Sequence, residues 1–368
     1  MDTIGIIEPE RLRFLPKKYW KAHEFCFFLH DSIARLLVEY EAKGLHNLVS
    51  NAFQKTIEDH NIAEDDIDIL SFLKENQLLK PYKFHLITHL TMALTSDMLH
   101  FLYESLICIE KQKLSVAFSL LRKPFKENLL FLAWLLGDED DFLERFSANN
   151  YQTLNNIGKE QRVRILNKSI NRLPHNKAFD ADLIHDIIYS KNLENGFEPI
   201  WQRATHLITS MGRLLKTEDY NINFIFNYPI DNSILSVLYS GLPYLMFFTT
   251  QICLCCFNKI HGINEKTFGH LLLTTMGCYE SLFLKGDKQS ITSMLNDSLK
   301  PFLKCLHCDT PLHINKSNAP QLFLTEKIQC KKCGIPSDVP LYWLLGFAKI
   351  TITTKDDLGP SHLDDLIG

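Results

Sequence analysis

Two short cysteine pairs constrain this chain more than any other feature. Cys305-Leu306-His307-Cys308 and Cys330-Lys331-Lys332-Cys333-Gly334 are Cys-x2-Cys knuckles with residues 309–329 between them. Each knuckle presents two thiolates from one tight turn, and two knuckles supply the four sulfurs that a tetrahedral structural Zn2+ prefers. The pattern predicts a C-terminal zinc ribbon with one ion. A closed four-sulfur shell leaves no position for water or substrate, so such an ion stabilises local structure and activates no nucleophile.

So small a module needs a larger body beside it. The 368 residues are 46% hydrophobic, enough to bury a sizeable core. Outside the knuckles, Cys253, Cys255 and Cys256 sit in an apolar run, a usage that fits a reducing cytoplasm and not a disulfide scaffold. The formal net charge of −4 excludes the global basic excess of a protein that coats nucleic acid or an anionic membrane, so any such contact must be local. Residues 1–9 lack a basic segment before an apolar stretch, and no secretory leader is expected. Residues 232–258 contain no charge and are long enough to span a bilayer. Gly241, Pro243 and Gln251 interrupt that run and no Lys or Arg cluster flanks it, which predicts a buried core helix opening near Pro243 instead of a membrane span.

Apolar residues recur at helical spacing along most of the chain. Helices are predicted over 19–43 with Gly44 as the stop, 45–60, 67–79 ended by Pro81, 82–111, and 114–136 kinked at Pro124. The short link at 112–113 makes the last two antiparallel neighbours. Further helices are read over 142–146, 180–191, 199–215, 234–257, 266–284 and 290–303, with 221–227 alternating like a short strand. Ser337 and Asp338 are expected to cap a helix opened by Pro340, with Tyr342, Trp343, Leu345 and Phe347 packing the ribbon on the body. The fold class is mainly α: a multi-helix antiparallel body over 1–298 with a sub-boundary near 150, a small C-terminal zinc ribbon with its packing helix over 299–350, and a tail over 351–368.

Three groups of polar residues are candidates for function. Arg122 and Glu127 belong to a polar cluster around Pro124 between strongly apolar flanks, a place where helical bundles build sites. Residues 159–177 carry six Lys or Arg against Glu160, and Arg164, Lys168 and Arg172 recur every four residues as a stripe for phosphates or an acidic partner. His206, three residues after Arg203 on a predicted helical face, is the general-base candidate. His85 with His89, and His185 with Asp186, are fragments of metal-binding patterns that lack further ligands. Phosphate-loop, dinucleotide, zinc-protease and serine-hydrolase motifs are absent.

The segment Ser119-Leu-Leu-Arg122-Lys-Pro-Phe-Lys-Glu127-Asn-Leu-Leu, set in an antiparallel helical body, resembles bacterial helical families related to the HEPN-like domains of defence and toxin systems. The resemblance covers residues 82–136 and implies RNA cleavage or nucleotide-linked regulation in prokaryotic host defence. The R-x4–6-H motif of HEPN ribonucleases is absent: no histidine follows Arg122 at that spacing, and His206 is too close to Arg203. The expected function is therefore that of a zinc-ribbon binding or regulatory protein contacting nucleic acid or a protein partner, with homo-oligomerisation open. The alternative is a ribonuclease or nucleotide-processing enzyme in which Arg122, Glu127 and His206 converge in one pocket. A third reading has the charges of 122–127 form an internal ion pair that orders the kink.

Overall fold

The computed structural model describes residues 3–44, 69–75, 79–147, 153–154, 156–210, 216–217, 219, 222–223, 232–284 and 290–342. Its helices are α1 (Pro9–Leu12), α2 (Trp20–Ala42), α3 (Ile69–Glu75), α4 (Leu79–Glu110), α5 (Leu114–Lys123), α6 (Leu129–Gly137), α7 (Glu139–Ser147), α8 (Lys159–Ile170), α9 (Ala181–Tyr189), α10 (Phe197–Thr205), α11 (Asn232–Ile260), α12 (Glu265–Phe283), α13 (Ser290–Ser298) and α14 (Ala319–Thr325). Two three-residue strands, β1 (Lys327–Gln329) and β2 (Pro336–Asp338), pair antiparallel with Lys327 opposite Asp338. The protein is mainly α, with the four knuckle cysteines gathered at its C-terminal end.

The charge-free run becomes the axis of the body. An apolar helix without a polar face can lie only where neighbours cover it on all sides, and α11 is covered by α2, α4, α6, α10 and α12. It is the one helix among the described residues long and apolar enough to cross a membrane, and 94% of its apolar window is buried inside the protein. Burial pushes the thiols of Cys253 and Cys255 up to about 12, as expected of core cysteines. The helix opens at Asn232, well before Pro243, so Pro243 lies inside it and does not start it. Tyr40 ties α2 to the end of this axis by donating its hydroxyl hydrogen to the Phe257 carbonyl at 2.9 Å.

Proline marks the boundary between α5 and α6 in a different way. Residues Pro124–Asn128 form a single π-helical turn, closed by the Leu129 N–H on the Pro124 carbonyl. Proline has no N–H to give the preceding turn and its ring crowds the carbonyl four residues back, so the regular helix is interrupted here. Lys123 bonds Asp97 at 2.8 Å and Asn128 bonds Asp97 at 2.8 Å, which anchors both ends of the turn to α4.

Several helix limits differ from those read in the sequence. Pro81 lies in the first turn of α4 instead of ending a helix, because the first backbone N–H groups of a helix need no internal partner. The segments predicted as a helix over 45–60 and, apart from residues 222–223, as a strand over 221–227 lie outside the described residues, as do Trp343, Leu345, Phe347 and the tail. Ser337 and Asp338 belong to β2, and the Ser337 hydroxyl is directed to Cys305 Sγ.

The cysteine module is held to the body by α14, which is carried between the two knuckles and packs on α12. Phe323 lies flat on Gly277 of α12: a Cβ at 277 would stand 2.3 Å from Phe323 Cζ, inside contact distance. His270 on α12 reaches Glu326 at 3.3 Å and meets the Tyr342 ring edge-on, so its place in the sequence, without a motif, is a docking contact. Gly277→Val is therefore expected to lever α14 off α12 and cost about 1–3 kcal/mol by overpacking. Hydrogen exchange would read this as faster exchange over 319–342 with α2 and α11 unchanged; unaltered protection of 319–342 would contradict the contact.

Candidate functional site

The metal centre is built from two turns of the same design. In each, the residue after the second cysteine donates its N–H to the carbonyl of the first: Asp309 to Cys305 at 2.9 Å and Gly334 to Cys330 at 2.9 Å. That closure needs a left-handed residue, supplied by Asp309 (φ 57°) and Gly334 (φ 73°), two residue types that tolerate it. The paired strands then bring the second knuckle against the first. All four Sγ atoms lie within 4.8 Å of one another. Cys305 and Cys333 are 3.6 Å apart and Cys308 and Cys330 are 3.7 Å apart. Sulfurs around a tetrahedral zinc stand about 3.8 Å apart, so Cys305, Cys308, Cys330 and Cys333 fit one such ion.

Hydrogen bonds prepare two of these sulfurs for a cation. The Ser337 hydroxyl donates to Cys305 Sγ at 3.4 Å, and with the Cys308 and His307 amides it brings the Cys305 thiol down to about 6. The Thr310 hydroxyl, 3.2 Å from Cys308 Sγ, lowers that thiol as well. Neither Ser337 nor Thr310 was a sequence candidate. Thr310, two residues past a knuckle, was accessible to local reasoning; Ser337 acts across the β-pair and was not.

The second candidate surface is a groove along α8. Its volume is about 750 Å³, and its lining includes Lys159, Arg164, Asn167, Lys168 and Asn171 with Asp182 of α9 opposite. Lys168 pairs with Asp138, and Lys159 pairs with Asp186 at 3.2 Å, so these two cations are partly neutralised. Arg164 is exposed and in no ion pair among the described residues. The helix ends at Ile170, so only Arg164 and Lys168 share its stripe; exposed Arg172 follows in a turn that its own N–H closes on the Ser169 carbonyl.

The residues grouped for catalysis have separate surroundings. Arg122 is half-buried at the end of α5, and Glu127 is exposed on the π-turn. His206 is exposed and extended just past α10, which stops at Thr205 instead of continuing to 215, so Arg203 and His206 do not share a helical face. No hydrogen bond or ion pair among the described residues joins any two of Arg122, Glu127 and His206. His85 and His89 stack with ring centroids 6.4 Å apart, and His185 Nδ1 lies 2.9 Å from its neighbour Asp186; among the described residues only the four cysteines form a metal-sized cluster.

The charge that does turn inward at the π-turn is Lys126. Its ammonium meets Glu198 of α10 at 2.5 Å, with side chains only 15% and 5% exposed. Burial lowers the Lys126 pKa, and Glu198 opposes that shift. The ion pair imagined within 122–127 is thus made by Lys126 with a residue far along the chain. Tyr189 donates its hydroxyl hydrogen to the Lys126 carbonyl at 2.7 Å, and the Arg162 guanidinium lies over the Tyr189 ring at 4.2 Å. Compared with known proteins, the chain matches no family model, no curated protein and no solved structure.

Proposed function

We propose that this chain is a cytoplasmic binding protein that grips the phosphate backbone of nucleic acid in the α8 groove, with the four-cysteine site holding one structural Zn2+. The observation that carries this reading is exposed Arg164, in no ion pair among the described residues, standing with Asn167 and Asn171 along one groove wall, a cation for phosphate oxygens beside neutral hydrogen-bonding groups. Arg172 extends the same edge. The helical body is compatible with the HEPN-like resemblance, and a role in prokaryotic defence belongs to this proposal. Fluorescence anisotropy with single-stranded RNA or DNA tests it. Affinity is expected to fall with salt with a log–log slope of roughly −1.5 to −2, as two or three phosphate contacts on a single strand require. Arg164→Glu with Arg172→Glu should abolish binding at low salt. Absence of retention by the parent protein, or retention by the double variant, would overturn the reading.

A second reading has one specific observation in its favour. Leu306 (78% exposed), Phe302 (58%) and Ile335 (41%) are solvent-facing hydrophobic residues on or beside the knuckles. Lysines 300, 304, 316, 327, 331 and 332 outnumber Asp309 and Glu326 over 299–334, and four thiolates on one divalent ion contribute about −2, roughly halving the excess. An apolar tip with so modest a charge fits a protein partner better than a phosphate backbone.

A further inference from the structure

The polar cluster at the π-turn is built around one buried ion pair, Lys126 with Glu198. Glu198 Oε2 lies 2.5 Å from the Lys126 ammonium, and Oε1 accepts from Gln202 Nε2 at 2.9 Å. Lys126 Nζ stands 5.8 Å from the ring centroids of both Tyr189 and Trp201, so aromatic faces bound it on two sides. The His185 ring is 5.2 Å from Tyr189. Arg122 and Arg162 both press electrostatically on the Lys126 charge.

Three nitrogens of this cluster are sequestered from solvent and have no hydrogen-bond partner among the described residues: Arg162 Nε, Trp201 Nε1 and His185 Nε2. Trp201 is 0% and His185 4% exposed. The Arg162 and Trp201 nitrogens are donors in every state. Water can fill a vacant donor, but it adds no negative charge beside Lys126 and Arg162, which share the one buried carboxylate of Glu198. A ligand that only accepts and carries negative charge does both.

We infer that Lys126, Arg162 and Trp201 form a binding site for a phosphate-type oxyanion, walled by Tyr189 and oriented by the Lys126–Glu198 pair. The Lys126 and Arg162 side chains are half-buried, and Trp201 is fully buried beneath them. The site does not depend on the nucleic-acid reading, because it shares no residue with the α8 groove lining.

The test is calorimetric titration of the full-length, metal-loaded chain with inorganic phosphate, against chloride at matched ionic strength. Phosphate-specific binding is expected, together with a rise in melting temperature that grows with phosphate concentration. Arg162→Gln should weaken phosphate about ten-fold, the effect of losing one charge-assisted contact. Trp201→Phe, which keeps an aromatic ring in the core, should weaken it about three-fold. Arg164→Glu should leave phosphate affinity unchanged, so failure of the groove proposal is distinguishable from failure of this one. No response beyond that to chloride, or undiminished binding by the Arg162→Gln, Trp201→Phe double variant with native circular dichroism, overturns the inference.

Discussion

Replacing Cys305 and Cys308 with serine is expected to release the metal and unfold the module over 303–342 while the helical body keeps its circular dichroism. The two serines remove half of the sulfur shell, and a site of this kind contributes on the order of 10 kcal/mol of metal-linked local folding. Regular structure around the sulfurs is slight: β1 and β2 are three residues each, and Ser337 reaches across to Cys305. Once α14 is no longer tethered at both ends by knuckles, Phe323 should leave Gly277 and expose the α12 face. Metal analysis should fall from one zinc per chain to none, and limited proteolysis should cut within 303–342 first. A cooperative collapse of the helical signal would show instead that body and module fold as one unit.

The second large effect is expected at Glu24. This residue is 0% exposed, and its carboxylate accepts hydrogen bonds from four successive backbone amides: Ile4 at 2.5 Å, Gly5 at 2.9 Å, Ile6 at 3.0 Å and Ile7 at 3.3 Å. The N-terminal segment is thus strapped to α2, with Ile4 and Ile7 buried beneath it. Glu24→Ala strands those donors at a buried site and removes charge-assisted bonds, a loss of about 3 kcal/mol or more. Glu24→Gln retains one acceptor oxygen and should lose less. Thermal melts should rank parent above Gln above Ala; equal melting temperatures would mean that the strap does not depend on this carboxylate.

A neighbouring network works through the same helix. Arg11 and Glu110 form a two-pronged pair, His23 Nε2 lies 3.4 Å from the same carboxylate, and the Tyr239 hydroxyl lies 2.9 Å from His23 Nδ1. Burial lowers the His23 pKa, so the ring sits neutral between Tyr239 and Glu110. These contacts join the N-terminal segment, α2, α4 and α11 by polar bonds inside an apolar core, where each unpaired partner would be costly. Their residues are scattered from 11 to 239, and no local spacing ties them together.

Local chemistry set what the sequence alone could determine. A Cys-x2-Cys knuckle is a five-residue object, so its turn, its left-handed Asp309 or Gly334 and its metal-binding capacity are written in consecutive residues. The same holds for the helical periodicity of 19–43 and 82–111, and for the central helix, whose lack of charge demanded burial. Pro124 announced a break, and the tertiary structure decided that the break would be a π-turn anchored to Asp97. What periodicity could not decide was which cation turns inward. Arg122, Lys126 and Glu127 look equivalent along the chain, yet only Lys126 meets a buried carboxylate, because Glu198 arrives on α10 from far away in sequence. The helix expected over 199–215 ends at Thr205, which leaves His206 on an extended, exposed segment. Ser337 likewise became a sulfur's hydrogen-bond donor through strand pairing, and Gly277 became a docking floor through Phe323. Spacing along one element is a one-dimensional signal; a site assembled from several elements depends on packing, which fixes partners only after the apolar faces have been buried.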